Sequence, residues 1–344
     1  SAGILKASET GIFIRDSVVF EKIRKVKSVI FDKTGTLTRG ELTVKAIHTL
    51  SNTEEKELVR IAYSLARLSA HPLTSAIVKY AEANGYDFLN VSELKSVSGK
   101  GITGKIDGKR YFLGSYSFVK ENSNDSGTFI EDEVTSVWLA DENVILGYIN
   151  LDDLTDNAAR ELATLLKRDG YRIVVMSGDK DEPVKKLAEY IGAEAYYSQM
   201  TPEMKAEIIN KIKNSENMVI FAGDGTNDIP ALMASDIGVA LAKGTDIAIE
   251  SGDVVILRDN IRLIHSFIEI ARKVSNRIRM NLLWATLYNI ILIPFALGLS
   301  YILWGVVFRP EFSAFAMMLS SLSVTLISLS IRFYQPSVLK DSTT

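Results

Sequence analysis

Short apolar runs alternate with segments of helical period over much of this chain. Residues 26–31, 173–176, 218–222, 237–241 and 254–257 are runs of the length of buried strands. Between the later ones, residues 157–168, 182–191, 202–212 and 229–235 have helical character. Strand and helix in turn predict an α/β fold with a doubly wound parallel sheet, whose ligands bind at the carboxyl ends of the strands. The first strand is separated from the rest by residues 43–150, where the pattern changes. Helices are expected at 54–68 and 73–83. Short strands follow around a two-residue turn at Asp107-Gly108, and a hairpin at 134–140 and 144–151. This predicts an inserted α+β domain with an antiparallel sheet. "NSNDSG" at 122–127 reads as a loop.

The last part of the chain has another pattern. Residues 281–308 and 312–331 contain no charged side chain, and each is about long enough to span a bilayer as a helix. A polar break separates them, which predicts a transmembrane helical hairpin. Arg272, Lys273, Arg277 and Arg279 precede it, and Arg332 and Lys340 follow it. The positive-inside tendency then puts both ends in the cytoplasm. The expected layout is a linker at 1–17, a sheet domain at 18–42 and 151–260, the insertion at 43–150, a stalk helix at 261–280, two spans, and a tail at 332–344.

Composition narrows this further. The chain has 344 residues, enough for two or three domains, and is 47% hydrophobic and 24% charged. A net charge of -3 argues against nucleic acid as a partner. There is no cysteine, which excludes disulfides and thiolate metal sites within the chain. The chain begins with Ser and has no signal peptide pattern, so a fragment of a longer protein is expected.

Three strand ends carry polar residues: Asp32 in "FDKTGTLT", Ser177-Gly178-Asp179, and "GDGTND" from Gly223 to Asp228. Asp32, Asp224 and Asp228 at one sheet edge would repel one another. A hard divalent cation relieves this, and oxygen ligands suit Mg²⁺. Lys205 in "TPEMK" opens a helix and can face a phosphoryl group. Ser177 and the backbone at Gly178 can hold phosphoryl oxygens, leaving Asp32 as a carboxylate nucleophile. An efficient aspartyl phosphatase wants a second acid two residues on. Here that position is Thr34, so a phosphoryl-aspartate should form and persist.

With the 32–38 motif "DKTGTLT", "GDGTNDIPAL" and "SGD", the chain resembles the P-type ATPases, whose phosphorylation domain is HAD-like. The resemblance implies ATP and Mg²⁺ as cofactors. It makes Asp32 the phosphorylated residue, with Asp32, Asp224 and the Thr34 carbonyl holding Mg²⁺. Lys205, Ser177, Gly178, Asp179, Asn227 and Asp228 would complete the phosphoryl site. Ser177 stands where the family has Thr. A family Asp-x-x-Lys/Arg element would fall near Asp152, with Thr155 in place of the base.

The insertion resembles the nucleotide-binding domain of the heavy-metal branch, type IB. Ser69-Ala70-His71-Pro72 matches its Ser-Glu-His-Pro element, with Ala70 departing from it. Gly99 and Gly101 match its glycine pair, and Lys95 stands where that branch has Glu. His71, Pro72, Gly99 and Gly101 are thus implied in nucleotide binding. Asn281, Tyr288-Asn289 and Pro294 share the spacing of copper-type pumps, and Met317, Ser320 and Ser321 resemble their last-helix motif. Tyr288, Asn289, Met317, Ser320 and Ser321 would then face transported copper, the soft thioether suiting Cu⁺.

The resemblance also implies partners outside the chain: an actuator domain, N-terminal membrane helices and the lipid bilayer. It implies a multi-pass cell-membrane protein with cytoplasmic catalytic domains. Alternatives are a pump for another heavy metal, a membrane-anchored aspartyl phosphatase, and a nucleotide-binding receptor without catalysis. Thr34, the large insertion and the polar motifs in the spans disfavour the phosphatase.

Overall fold

The computed structural model describes residues 2–69, 72–97, 99–125, 127, 135–155, 157–214, 217–224, 226–241, 250–305 and 310–340. The chain begins with α1 (Ala2–Glu9), β1 (Ile12–Ile14), α2 (Val19–Lys22) and β2 (Val26–Asp32). The insertion comprises β3 (Thr38–Thr49), α3 (Glu55–Ala66), α4 (Pro72–Ala83), β4 (Val91–Val97), β5 (Gly101–Ile106), β6 (Lys109–Gly114), α5 (Tyr116–Asn122), β7 (Thr135–Asp141) and β8 (Ile145–Thr155). Next come α6 (Asn157–Arg168), β9 (Arg172–Met176), α7 (Asp181–Ile191), β10 (Ala195–Tyr197) and α8 (Pro202–Ile212). They are followed by β11 (Met218–Gly223), α9 (Ile229–Ala234), β12 (Ile237–Leu241) and β13 (Val254–Ile256). The C-terminal part is α10 (Leu263–Pro294), α11 (Ser300–Trp304), α12 (Pro310–Leu329) and α13 (Ser337–Lys340).

The first sheet runs β1-β13-β12-β11-β2-β9-β10, parallel except for β1 against β13. Its strands are apolar on both sides because helices cover both faces. Val29, Phe31, Ile173 and Val175 face one core, where α6 and α7 bury Leu162, Leu166, Val184 and Leu187 at helical spacing. Ile30, Val174, Met176 and Phe221 face a second core with Ile209 of α8 and Leu232 of α9. Central β2 lies between β9 and β11, with Asp32 beside Met176 and Phe31 beside Ala222. Three carboxyl ends therefore meet at one edge.

The second sheet is antiparallel, in the order β3-β8-β7-β6-β5-β4. Helices α3 and α4 bury Leu58, Leu65 and Ile77 against Leu113, Leu139 and Ile149. Asp107 and Gly108 have φ of 50° and 79°, the left-handed pair that a two-residue hairpin requires. The inserted sheet reaches the chain at Thr38 and leaves it at Thr155, so β3 and β8 form a two-stranded hinge across the expected limits at 43 and 150.

Three expectations need correction. Residues 1–17 are not a bare linker, because β1 pairs with β13 and extends the first sheet through buried Ile12 and Ile14. The expected stalk and first span are one helix, α10, broken at Phe295–Leu299, where Pro294 has no N–H to give and Gly298 takes φ 103°. Among the described residues, one helical stretch, Leu263–Leu299, is long and apolar enough to cross a membrane by length and composition. The second expected span, at 312–331, falls on the 20-residue α12, Pro310–Leu329, within which Met317–Leu329 is an apolar stretch. The expected tail does not hang free: the N–H of Ser337 donates to Glu269 Oε2 of α10 at 2.8 Å, and Val338 is buried.

Candidate active site

Asp32 ends β2, Ser177 follows β9, and Asp224 follows β11, so the parallel register alone brings these positions together. Lys205 reaches them from the first turn of α8, which Thr201 caps by accepting the Met204 N–H at 3.3 Å. Lys205 is 6% exposed. Its ammonium donates to Asp32 Oδ1 and, at 2.7 Å, to Asp228 Oδ1. Carboxylate oxygens of Asp32, Asp224 and Asp228 all lie within 4.8 Å of one another. A cavity of about 470 Å³ opens over them, lined also by Thr34, Ser177, Gly178, Asp179 and Asn227. Every residue expected from sequence at the phosphoryl and Mg²⁺ site therefore borders one space.

Burial pushes the Asp32 carboxyl up to about 7, with Asp228 and Asp224 adding to the rise and Lys205 opposing it. Burial also pulls on Lys205, but Asp32 and Asp228 outweigh it and hold the ammonium above its ordinary value. Two opposed acids on one lysine leave net negative charge at the site. An oxygen-only donor set this compact fits a hard divalent cation, which would restore the Asp32 carboxylate.

Gly35 keeps the loop after Asp32 close to Asp224. Its φ is 75°, and a Cβ there would meet Asp224 Oδ2 at 1.7 Å. Gly35→Ala is expected to cost about 1–3 kcal/mol in backbone strain alone and to displace Asp224. Thermal unfolding should show a lower midpoint and little of the upward shift that Mg²⁺ gives the wild type.

Two contacts were not anticipated. Lys33, 6% exposed, pairs with Asp179 Oδ2 at 2.6 Å and turns the Ser-Gly-Asp loop against the Asp32 loop. Thr38 donates its hydroxyl to Asp153 Oδ2 at the root of the hinge. Near the expected Asp-x-x-Lys/Arg element it is thus Asp153 that makes the buried contact, while Asp152 pairs with Lys45 at 2.6 Å on the surface. Strand alternation carried the signal, since neighbours on β8 must face opposite ways.

A second cavity, of about 590 Å³, lies in the insertion and is lined by Gly99, Lys100, Gly101, Ser115 and Ser136 among others. Gly99 has φ 71°, and a Cβ on Gly101 would meet the Leu113 carbonyl oxygen at 2.5 Å. Pro72 opens α4 next to this cavity's Leu73 and Thr74, and its side chain lies outside the description, as His71 does entirely. An extra residue in β4 between Ser92 and Lys95 puts Glu93 at φ 51°, where it pairs with Lys105 and Arg110 at 2.8 Å.

In the apolar region, Asn281 donates to Ser328 Oγ at 2.9 Å, and Ser337 reaches Glu269, so α12 runs antiparallel to α10. Asn289 is exposed, as are Met317 and Ser321, while Ser320 is half-buried. The side chain of Tyr288 lies outside the description.

A family model for haloacid dehalogenase-like hydrolases matches residues 26–236. The catalytic domain of the CPx-ATPase CopB-B, solved in work on nucleotide binding, is 32% identical with a TM-score of 0.65; the match covers 77% of this chain and 98% of that one. This chain belongs to the type IB P-type ATPases, within the haloacid dehalogenase-like hydrolases. A zinc-transporting PIB-type ATPase in an E2.Pi state matches it with a TM-score of 0.80 at 27% identity, over 96% of this chain and 54% of that one. A probable copper-exporting P-type ATPase of Archaeoglobus fulgidus is 36% identical over 342 residues, 98% of this chain and 42% of the relative. The chain thus spans less than half the length of that curated relative.

Proposed function

We propose that this chain is the catalytic part of an ATP-driven pump that exports copper through a phosphorylated Asp32. The observation that carries the reading is the buried Lys205 between Asp32 and Asp228, with Asp224 within reach just past the end of the neighbouring strand. Asp32 attacks the γ-phosphorus of ATP. A carboxylate O–P bond forms, the bond to the β–γ bridging oxygen breaks, and ADP leaves. Lys205 offsets charge on the transferred group, while Ser177 and the N–H at Gly178 receive its oxygens. Asp179, Asn227 and Asp228 complete the walls. Asp32, Asp224 and the Thr34 carbonyl would hold Mg²⁺, which supplies further charge neutralisation when bound. Thr34 is exposed to the cavity where a phosphatase would keep an acid, which favours a lasting phosphoenzyme over phosphate-ester turnover.

ATP is held in the insertion cavity, with Gly99 and Gly101 admitting the nucleotide, and the resemblance gives His71 and Pro72 a part in binding it. Among the described residues that cavity shares no lining residue with the Asp32 site, so transfer requires the lobes to close about the hinge at Thr38 and Asp153.

Copper is supported by the copper-exporting relative and by the membrane motifs. From the Asn281–Ser328 contact, Asn289 lies eight residues on and Ser320 eight back. In an antiparallel pair both stand ~12 Å along, at one level. Tyr288, Met317 and Ser321 belong to the same turns. The zinc-transporting neighbour keeps a different heavy metal as the second reading. The pump reading also carries a multi-pass location in the cell membrane with both lobes in the cytoplasm. An actuator domain and further membrane helices would then be supplied by the longer protein.

The test is phosphorylation with γ-labelled ATP and Mg²⁺. An acid-stable, hydroxylamine-labile label on the chain is the expected result. Release of phosphate from small esters without ATP, and no label, would replace the pump by the phosphatase.

A further inference from the structure

At the far end of β9 from the active site lies a buried polar cluster that takes no part in the chemistry above. His265, in the first turn of α10, is 0% exposed. Its Nε2 stands 3.0 Å from Asp169 Oδ2, at the corner between α6 and β9. A carboxylate accepts, so Nε2 carries the hydrogen. Among the described residues the other ring nitrogen has no hydrogen-bond partner, and Glu269 Oε2, one turn along α10, lies 3.8 Å from it. That same Glu269 oxygen accepts the N–H of Ser337, which opens α13. Asp169 with His265, and Glu269 with Ser337, thus form two bonded pairs side by side where three elements distant in sequence meet.

The same elements are tied twice more. The Arg272 guanidinium lies 4.7 Å from the ring centre of Tyr171, joining α10 to the corner, and Lys273 lies 5.2 Å from that of Tyr334, joining α10 to the returning segment. Arg168 also faces Asp169, at 3.7 Å. Around them Ile264, Phe267, Ile268 and Ile331 are buried in the first sheet's core. A wholly buried imidazole in such apolar surroundings needs a reason beyond filling space, since a leucine or phenylalanine would fill it without desolvating a polar ring.

The placement supplies that reason. β9 is five residues long, ~16 Å, and pairs along its length with β2. One end carries Ser177, which borders the space over Asp32. The other begins just after Asp169 and Tyr171. A strand paired within the central sheet thus connects Ser177 to the corner that His265 grips. From there α10 continues without a break to Pro294, into the apolar region.

We infer that His265 is a positioning residue: by tying the first turn of α10 to Asp169, beside the Glu269–Ser337 contact, it sets the angle of α10 against the phosphorylation sheet, so that events at Asp32 reach the membrane helices. This rests on the pump reading, and its test separates the two. In the longer pump, His265→Phe keeps the ring's bulk without its N–H. Label on Asp32 is expected to stay within about twofold of wild type while metal-stimulated turnover falls about tenfold or more, the scale of a small misplacement. His265→Gln, which keeps a donor, should recover most of the turnover.

In the 344-residue chain, hydrogen exchange gives a readout independent of transport: the Ser337 amide should exchange about tenfold faster in His265→Phe. Equal losses of label and turnover would reduce His265 to a packing residue. Wild-type turnover with an equally protected Ser337 amide would remove the role altogether. If the wild-type chain takes no label from ATP, the pump reading fails, and the Ser337 amide still decides whether the clamp exists.

Discussion

Asp32→Asn is expected to abolish the acid-stable label from γ-labelled ATP while leaving nucleotide binding intact. Loss of a nucleophile can cost on the order of 10⁶ in rate. The amide keeps the shape of the carboxyl but cannot attack phosphorus. Binding survives because the insertion cavity is built from other strands. The fold survives as well. Burial raises the Asp32 value to about 7, so the folded chain holds its proton better than the unfolded one, and Asp32 favours folding at low pH. That contribution is lost progressively as pH rises from the unfolded value of 3.8 to the folded value of about 7, above which the folded chain carries a buried charge. Without divalent cation, the variant's thermal midpoint should therefore gain on the wild type's from about pH 4 to 7 and hold that lead above it. Mg²⁺ should shrink the gap by stabilising the wild-type carboxylate. A variant that still takes label would move the phosphorylated residue elsewhere.

Lys205→Met should produce the largest loss of stability. Asp32 is 6% exposed and Asp228 2%, and the lysine is the ammonium they share. Removing it leaves two acids facing each other in a buried site. Breaking one partner out of a buried ion pair costs about 3–5 kcal/mol. Urea unfolding without divalent cation should show this, and added Mg²⁺ should restore part of it. Label formation should fall by about 10²–10³ even where the protein is folded, because one donor to the transferred group is gone. Wild-type stability in the variant would mean that Asp32 and Asp228 are not both charged beside Lys205.

The candidate phosphoryl site was readable in advance for a specific reason. Asp32, Ser177 and Asp224 each follow an apolar run, and parallel strands of a doubly wound sheet present their carboxyl ends on one edge. Local pattern plus that rule was enough to gather them. Helices α6 and α8 run over 157–168 and 202–212, as their apolar spacing predicts. β1 was missed because three residues, Ile12–Ile14, are too few for a period to show. β4 was blurred by its bulge, since one extra residue moves every later side chain to the other face.

Local order along the chain thus decided the strands, the helices and the chemistry at their ends, because hydrophobic period and strand-end residues are properties of neighbours. The contacts of Lys33 with Asp179, Thr38 with Asp153, and His265 with Asp169 and Glu269 came only with folding. Each joins segments with no shared period, 96 to 146 residues apart except for Glu269 beside His265. Their pairing depends on how helices and sheets stack, and on water being excluded once they do. A polar residue's partner across that distance is set by packing in three dimensions, and no short stretch of sequence contains it.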